Sequence, residues 1–304
     1  MKKNLLPNKA TDAPLVSVVM PVFNAAPYIK DCVESILNQT HFNLEFIIID
    51  DASTDATPLI LAAYAKKDRR IKLFTNESQR GISITVKLAI NKAKGDYIAR
   101  MDADDISLPE RLTKQVAYLE KNKKTVALGT QCLLIDKKNN ITGTKVFPTK
   151  HEDIYKYVFH FVPLQQPTIM IARHRLPANF EFYQDGMNTA EEVELFFKLF
   201  QFGKIENLNE FLFKYRIHGE NTSLKNIRRT FILTLISRLK ATIKYNYRPP
   251  ISGIAMTIAQ AMIVLILPQR ITFFIYKLSR SMFSINPSSL FSGKVAYSRK
   301  TSRA

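Results

Sequence analysis

Five acidic residues in two short runs are the part of this sequence best suited to chemistry. Asp102, Asp104 and Asp105 place three carboxylates within four residues, and Asp50 and Asp51 form a second pair. Carboxylates this close repel one another in a folded site unless a cation neutralises them, and such oxygen ligands favour Mg²⁺ or Mn²⁺. The competing interpretation is a solvated acidic turn before a helix, where the helix dipole favours negative charge.

Both acidic runs follow predicted strands. Short apolar runs rich in β-branched residues predict buried strands at 16–20, 44–49, 71–74, 97–101 and 125–129. The pair at 50–51 comes directly after the second strand, and the run at 102–105 after the fourth. Ligands of parallel α/β sheets bind just beyond the carboxyl ends of the strands, so both runs are predicted to lie where a ligand would bind.

Helices are predicted between these strands. Apolar residues recur at helical spacing over 29–37, 56–66, 82–94 and 191–202. Another helix is predicted to begin at a capping box, with Ser107 as N-cap and Glu110 at N3. Gly95 and Gly203 are predicted to close two of the helices. Alternation of strand and helix predicts an α/β fold with a parallel sheet, while 132–182 is predicted to be mixed β and loop.

Charge sets the last quarter of the chain apart. The net charge is +18, and residues 221–304 contain fourteen Lys and Arg but no Asp or Glu. Basic and apolar residues alternate at helical spacing over 227–245, and 251–267 is uncharged. That run is shorter than the roughly 20 residues of a typical membrane span. We therefore expect helices that lie in the interface of an anionic membrane, in preference to a true span.

The remaining composition predicts a cytoplasmic protein. Residues 1–14 lack the apolar segment of a secretory signal. Cys32 and Cys132 are far apart and have no metal-ligand neighbour, so we interpret them as reduced thiols. Together with the basic C-terminal quarter, this predicts a peripheral protein on the inner face of the cell membrane.

Several segments resemble the family 2 glycosyltransferases. Residues 17–24 and 35–40 are similar to that family's opening, and 47–55 resembles its I-D-D-x-S-x-D element. Residues 93–105 resemble its G-x-Y element ending in D-x-D-D, and 215–218 its closing Y-R-x-H. The elements occur in order at the family's spacing, so the resemblance is specific and spans 16 to about 223.

The resemblance implies a GT-A fold, the Rossmann-like fold of nucleotide-diphospho-sugar transferases. Its sheet is mixed, mainly parallel and flanked by helices. The GT-A domain would cover 15–223, with a donor half at 15–130 and an acceptor half at 131–223. An N-terminal tail at 1–14 would precede it, and a basic amphipathic helical region at 224–304 would follow.

The resemblance also implies a pocket for a nucleotide-sugar, usually one with uracil. Asp102, Asp104 and His218 would hold a divalent metal, Mn²⁺ or Mg²⁺, although a lone histidine is more often structural. The metal would stabilise the negative charge that develops on the leaving diphosphate. The residues implied to contact the nucleotide-sugar itself are Pro21, Phe23, Asn24, Asp51, Asp102 and Ala103. At Lys87 the sequence departs from the family, which has Asn there; Lys87 or Arg80 could instead meet the diphosphate charge, or both could be surface residues.

Glu192 is the candidate general base. It is the second residue of an acidic pair where the family has E-D, so it is one methylene longer than the usual Asp. A carboxylate there would deprotonate the acceptor hydroxyl, and direct displacement would invert the anomeric centre. The alternative is that Glu191, Glu192 and Glu194 only stabilise a helix N-terminus.

The predicted function is inverting sugar transfer to a hydroxyl of a lipopolysaccharide-type surface glycan or a lipid-linked acceptor. Transfer to a polyprenyl phosphate is an alternative, although no additional Arg cluster near Glu192 supports it. A non-catalytic membrane- or nucleic-acid-binding protein of the same fold is a second alternative. Nucleic acid is not an expected partner, because the sequence has no motif of known nucleic-acid modules.

Overall fold

The computed structural model describes residues 13–184, 191–218, 227–267 and 271. Its first half is a βαβ arrangement. Strands β1 (Val16–Val22), β2 (Leu44–Asp50), β3 (Ile71–Thr75) and β4 (Tyr97–Arg100) pair in parallel in the order β3-β2-β1-β4. Helices α1 (Ile29–Leu37), α2 (Thr57–Lys67) and α3 (Ile82–Lys92) connect them. The predicted strands and helices of this half are confirmed, with small shifts at their ends.

The second half extends the same sheet. Strand β8 (Met170–Ala172) pairs antiparallel with β4 and with β6 (Thr125–Ile135), and β6 pairs in parallel with β9 (Lys204–Arg216). Antiparallel partners at its margins are β5 (Ile106–Ser107) on β9 and β7 (Ile141–Lys145) on β6. The helices are α4 (Arg111–Lys121), α5 (His151–Tyr157) and α6 (Glu191–Leu199), followed by α7 (Ile227–Lys244) and α8 (Ile251–Ile266).

Two hydrophobic clusters cover the two faces of the sheet. Alternation along β1 sends Val16, Val18 and Met20 into one cluster and Val19 into the other. The first cluster contains buried residues of α1 and α4, and the second contains those of α3, α5 and α6. Each face of the sheet is therefore covered by helices, and the site residues lie at its carboxyl edge.

Three predictions of helix ends are wrong. Ser107 is not an N-cap, because it pairs in β5 with Phe213 and its hydroxyl accepts a hydrogen bond from Gln39. Helix α4 begins later, with Glu110 as its N-cap. Helices α3 and α6 end at Lys92 and Leu199, ahead of the two glycines.

Close packing explains those two glycines. A Cβ on Gly95 would lie 2.6 Å from the carbonyl oxygen of Leu15, and one on Gly203 would lie 2.5 Å from that of Lys124. Distances below 3.0 Å are not seen for real Cβ atoms, and both obstacles are backbone atoms. Each glycine therefore lets the chain pass against a neighbouring segment.

The predicted C-terminal helices are present as α7 and α8. Helix α7 packs on α6, and Ala241 together with Tyr247 belongs to the second hydrophobic cluster. Among the described residues, none of the helices combines the length and apolarity needed to cross a membrane. The division at 223/224 remains a prediction.

Candidate active site

The loop after β4 holds the three predicted acidic residues. The Asp102 carboxylate forms an ion pair with the Arg100 guanidinium at 2.8 Å (Nη2 to Oδ1). Burial raises the pKa of Asp102, and the Asp104 carboxylate raises it further, while Arg100 opposes both. The Cys32 thiol donates to the Asp102 carbonyl oxygen at 3.3 Å, and Arg111 donates to the Arg100 carbonyl oxygen at 2.8 Å. Helices α1 and α4 thus fix the loop backbone beneath the carboxylates.

Asp104 and His218 meet across the sheet. His218 Nε2 lies 2.7 Å from Asp104 Oδ2, although the two residues are 114 positions apart in the chain. Strand β9 makes this possible, because its pairing with β5 places the residues after Arg216 beside the acidic loop. The His218 ring stacks on Tyr28, with ring centroids 5.4 Å apart. The structure therefore brings these two predicted site residues into contact, while their role as metal ligands stays a prediction.

Asp105 has a structural environment different from that of its neighbours. It is almost fully buried, and its Oδ1 accepts a hydrogen bond from the Arg216 backbone N–H at 2.8 Å. The Arg216 guanidinium in turn donates to the Asp104 carbonyl oxygen at 2.6 Å (Nε) and stacks over Tyr28. Burial and the charges of Asp104 and Asp102 raise the pKa of Asp105 well above its usual range.

Asp51 lies on the other side of β1 from this loop, since β2 and β4 flank β1 and end at the same edge. It is buried, and three donors fix its carboxylate. Asn76 Nδ2 donates to Oδ1 at 2.7 Å and the Arg80 N–H donates to the same oxygen at 2.9 Å, while the Gly81 N–H donates to Oδ2 at 2.8 Å. The carboxylate is therefore pre-oriented by the segment that leads into α3.

The end of β1 forms the wall beside Asp51. Asn24 has a positive φ of 49°, and its Oδ1 accepts a hydrogen bond from the Thr54 N–H at 2.8 Å, which links it to the loop after β2. Phe23 is exposed and Pro21 is half-buried. Ala103 is buried in the first hydrophobic cluster. Pro21, Phe23 and Asn24 thus border Asp51, while Ala103 belongs to the acidic loop; their contacts with a nucleotide stay predictions.

Glu192 lies in the first turn of α6 and is partly buried. Burial raises the pKa of this carboxyl most, and the Asp102 charge raises it further, whereas Lys145 and Arg100 lower it. These effects place Glu192 within electrostatic range of Asp102. Glu194, two residues later, points away into a buried cluster with Lys240 and Tyr245. Glu194 is therefore engaged in that cluster, whereas Glu192 is within electrostatic range of the acidic loop.

Lys87, where the sequence departs from the family pattern, is only partly exposed. It lies on α3, and its Nζ is 3.7 Å from a carboxylate oxygen of Glu181. That ion pair partly offsets the charge that was expected to meet a diphosphate. Contact between Lys87 and a donor stays a prediction.

The residues present fit a divalent ion that arrives with a diphosphate. Within the described ranges, no group of three or more His, Cys, Asp and Glu side chains is arranged to hold a metal alone. Asp104 and His218 nevertheless offer an oxygen and a nitrogen ligand side by side. The buried Oδ2 of Asp105 has no hydrogen-bond partner in the described part of the chain. Mg²⁺ commonly binds through one or two carboxylates plus substrate phosphates, so a two-residue protein contribution is sufficient.

Four residues of this site were given no role from the sequence. They are Tyr28, Asn76, Arg100 and Arg216, and each holds a predicted site residue in place. Arg100 carried a usable signal, because it is a charge in an otherwise apolar predicted strand directly before Asp102. Asn76 and Tyr28 carried none, since only the folded loops bring them to their partners.

Comparison with known proteins identifies the family to which the chain belongs. Residues 17–177 match the glycosyl transferase family 2. The chain is 32% identical over 251 residues to an uncharacterized glycosyltransferase of Haemophilus influenzae. The match covers 77% of this chain and 78% of that protein. Sequence similarity of this extent shows membership of the family.

Two solved structures show the fold. S. aureus TarS 1–349 in complex with UDP superposes with a TM-score of 0.62 at 19% identity, covering 81% of this chain and 71% of that chain. The Pyrobaculum calidifontis mannosyltransferase PcManGT, in complex with GDP-Man and Mn²⁺, gives a TM-score of 0.55 at 15% identity. That match covers 96% of this chain and 86% of that chain. The sheet order, the acidic loop and these likenesses together show that the chain is a GT-A-fold glycosyltransferase that belongs to glycosyl transferase family 2.

Proposed function

We propose that this chain transfers a sugar, with inversion, from a UDP-sugar to a hydroxyl of a cell-surface glycan or lipid-linked acceptor. The observation that carries the proposal is the placement of Asp51 and of the Asp104–His218 pair at one edge of the sheet, on either side of β1. A nucleoside diphosphate has a base at one end and a diphosphate at the other. Asp51 would bind the base, and the Asp104–His218 pair would bind at the diphosphate.

Asp51 is assigned to the base. Its carboxylate is already held by three hydrogen bonds, so little conformational entropy is lost when a base binds against it. The imide N–H of uracil can donate a hydrogen bond to a carboxylate oxygen. TarS, a structural neighbour, is described in complex with UDP and with UDP-GlcNAc. This supports uracil as the first base to test.

Asp104 and His218 are assigned to the diphosphate end, where they would hold Mn²⁺ or Mg²⁺. Such an ion, when bound, offsets the negative charge that develops on the departing diphosphate. The chain's own part is to hold both ligands in place. Tyr28 fixes the His218 ring by stacking, and Arg216 fixes the Asp104 backbone. Asp102 is assigned to ribose or metal, and Arg100 orients its carboxylate.

Glu192 is assigned as the general base. A base accepts the proton of the acceptor hydroxyl as oxygen attacks the anomeric carbon, and the bond to the diphosphate breaks on the opposite face. A raised pKa makes the deprotonated Glu192 carboxylate a stronger base than that of an exposed glutamate. The electrostatic influence of Asp102 on Glu192 supports a base on the sugar side of the diphosphate.

The basic charge of the C-terminal region supports the proposed acceptor and the membrane location. Residues 221–304 contain only basic charges, and α7 packs directly on the helix that carries Glu192. We therefore place the reaction at the cytoplasmic face of an anionic membrane, where an acceptor attached to a lipid would be presented. A polyprenyl phosphate acceptor is the alternative that the assay below separates.

A donor panel tests the proposal. We expect UDP-sugars with Mn²⁺ to raise the melting temperature of the protein, because a ligand at about 100 times its Kd stabilises the folded state by about 2.7 kcal/mol. Asp104→Asn should abolish the metal-dependent part of the shift. Product analysis by mass spectrometry with lipid-linked glycans and with polyprenyl phosphate then distinguishes the two acceptors. Failure of every nucleotide-sugar to shift the melting temperature with metal would refute the donor assignment.

A further inference from the structure

Helix α8 has an inverted distribution of polar and apolar residues. Its positions against the protein are Gly253, Thr257, Gln260 and Val264, a stripe that is mostly small or polar. Its outward positions are apolar except for Ser252, and the exposed fraction reaches 87% at Ile251 and 74% at Ile266. A surface helix of a soluble protein normally turns its apolar stripe inward and its polar residues outward. In this helix the outward face is the apolar one.

A buried arginine explains why the inward stripe is polar. Arg238 of α7 is almost fully buried, and its Nη1 donates to Thr257 Oγ1 at 3.0 Å and to Gln260 Oε1 at 2.9 Å. Its guanidinium also lies over the Phe159 ring, 5.4 Å from the centroid. These contacts fix the rotation of α8 against α7 and the body of the protein. The apolar residues of α8 therefore face outward because of specific pairing on the inner side.

Helix α7 has an exposed apolar stripe as well. Ile232, Ile236, Leu239 and Ile243 follow the i, i+4, i+7, i+11 spacing of one helix face, and all four are exposed. At 100° per residue, Arg228 and Arg229 fall on the two sides of this stripe. Both arginines are exposed, as are Lys244 and Arg248 beyond them. An apolar stripe bordered by cations is the pattern of a helix that lies in a membrane interface.

We propose that the outer faces of α7 and α8 form one docking surface that inserts into the headgroup–acyl boundary of an anionic lipid bilayer. Charge complementarity selects this occupant, because residues 221–304 contain fourteen basic residues and no acidic one. A second copy of the chain would bring like charges together at the same surface. The side of α8 opposite the bilayer is held by the protein, for example by the contact of 3.1 Å between His160 Nε2 and Ser252 Oγ. The helix pair therefore lies along the membrane.

Docking by this surface requires that apolar side chains of α8 lie below the lipid headgroups. Cations alone would hold the protein at the headgroups and release it at high salt, since screening weakens such contacts. Apolar insertion buries Ile258, Met262 and Ile266 below the headgroups, so part of the binding persists in salt. This inference rests on the proposed membrane location. Its test needs neither donor nor acceptor, so its failure leaves the proposed transfer reaction standing.

The absence of tryptophan from the sequence gives a clean optical test. Ile258→Trp on α8 and Leu59→Trp on α2 each introduce one fluorophore at an exposed apolar position, with exposed fractions of 55% and 77%. Both full-length variants are mixed with vesicles of phosphatidylcholine and phosphatidylglycerol, with and without brominated acyl chains. We expect a blue shift and strong quenching by brominated lipid for Ile258→Trp only. Equal behaviour of the two probes, or no change in either, would overturn the proposal.

A second variant separates the bilayer from other occupants. Ile258→Asn combined with Met262→Asn changes only exposed positions, and its far-UV spectrum and melting temperature verify the fold. We expect its co-sedimentation with anionic vesicles to fall at least about tenfold, as loss of two buried apolar side chains implies, while Leu59→Asn binds like the wild type. Unchanged vesicle binding would contradict apolar insertion. A lipid-free dimer that the double substitution dissociates would assign the surface to a second copy instead.

Discussion

The Nε2 atom of His218 lies 2.7 Å from Oδ2 of Asp104, and this contact joins the end of β9 to the loop after β4. Neither residue is adjacent to the other in sequence, and Tyr28 from the segment before α1 completes the arrangement by stacking on the imidazole. Three separate parts of the chain thus meet at the point where the proposed diphosphate would bind.

Removing His218 should weaken metal-dependent donor binding. We expect His218→Ala to reduce the affinity for UDP in the presence of Mn²⁺ at least about tenfold, because loss of one metal-site partner typically costs 10–100-fold. Affinity without metal should change little. Isothermal titration calorimetry with and without Mn²⁺ measures both values. His174→Ala is the matched control, since that exposed imidazole contacts Asp96 and Tyr97 outside the site. An Mn²⁺-dependent affinity equal to the wild type would contradict the ligand assignment.

Asp51 should matter for stability as well as for binding. In Asp51→Asn, one oxygen acceptor is replaced by an N–H₂ donor, which then faces either the Gly81 N–H or the two donors of Asn76 and Arg80. We expect the free energy of unfolding to fall by about 1–3 kcal/mol, the usual cost of leaving a buried polar group without a partner. Urea unfolding measures this loss, and Asp96→Asn serves as an exposed control. If Asp51→Asn unfolds at the same urea concentration as the wild type, the three hydrogen bonds do not pre-orient the carboxylate.

Most of the parallel half was predictable from the sequence. Its strands are continuous apolar runs, and the acidic residues follow two of them, so the carboxyl edge could be located directly. The long strand β9 was not predicted, because polar residues such as Asn207, Asn209 and Glu210 interrupt its alternation. Its pairing with β6 supplies the missing stabilisation. Strand order beyond β4 therefore had to come from the structure.

Candidate site residues could be named from the sequence, but their mutual contacts could not. Asp104 and His218 were proposed as partners from the resemblance. The Arg100–Asp102 ion pair and the Arg216 contact to Asp105 depend on side-chain directions that spacing does not fix. The capping box at Ser107 failed for a related reason. Its residues satisfy the local pattern, but pairing of β5 with β9 uses Ser107 in a strand.

The rate of transfer should depend on the ionisation of Glu192. Burial and the Asp102 charge raise the pKa of this carboxyl. A general base works only when deprotonated, so kcat/KM should fall as pH decreases through the raised pKa. This fall in kcat/KM is the acid limb of the pH profile. Its midpoint should therefore lie above about pH 4.3, the usual pKa of an exposed glutamate.

Lys145 provides a charge-based test of this assignment. Its ammonium lowers the pKa of Glu192, so Lys145→Gln should move the acid limb to higher pH. Lys123→Gln changes an exposed lysine that pairs with Glu120 and should leave the limb unchanged. The measurement is the pH profile of kcat/KM for the three proteins. A limb that moves to lower pH in Lys145→Gln would assign the profile to another group.

Glu194 should determine how firmly α7 is held on the helix that carries Glu192. Its buried carboxylate accepts hydrogen bonds from the Tyr245 hydroxyl at 2.7 Å and from Lys240 Nζ at 3.1 Å. We expect Glu194→Gln to destabilise this contact by about 1.5–3 kcal/mol, as for hydrogen bonds to a charged group. Hydrogen exchange should accelerate in α7 and stay unchanged in α1 to α3. Glu152→Gln, an exposed change on α5, is the control, and equal α7 exchange in both variants would contradict the prediction.

The central claim is that Glu192 activates an acceptor hydroxyl against a donor held at Asp51 and Asp104. The most direct measurement is single-turnover transfer from the UDP-sugar that the donor panel selects, compared between the wild type, Glu192→Gln and Glu152→Gln. We predict that transfer falls by about 10²–10⁴-fold in Glu192→Gln, the usual contribution of a general base. Binding of UDP with Mn²⁺ should be retained, and Glu152→Gln should be fully active. Transfer by Glu192→Gln at the wild-type rate would contradict the claim.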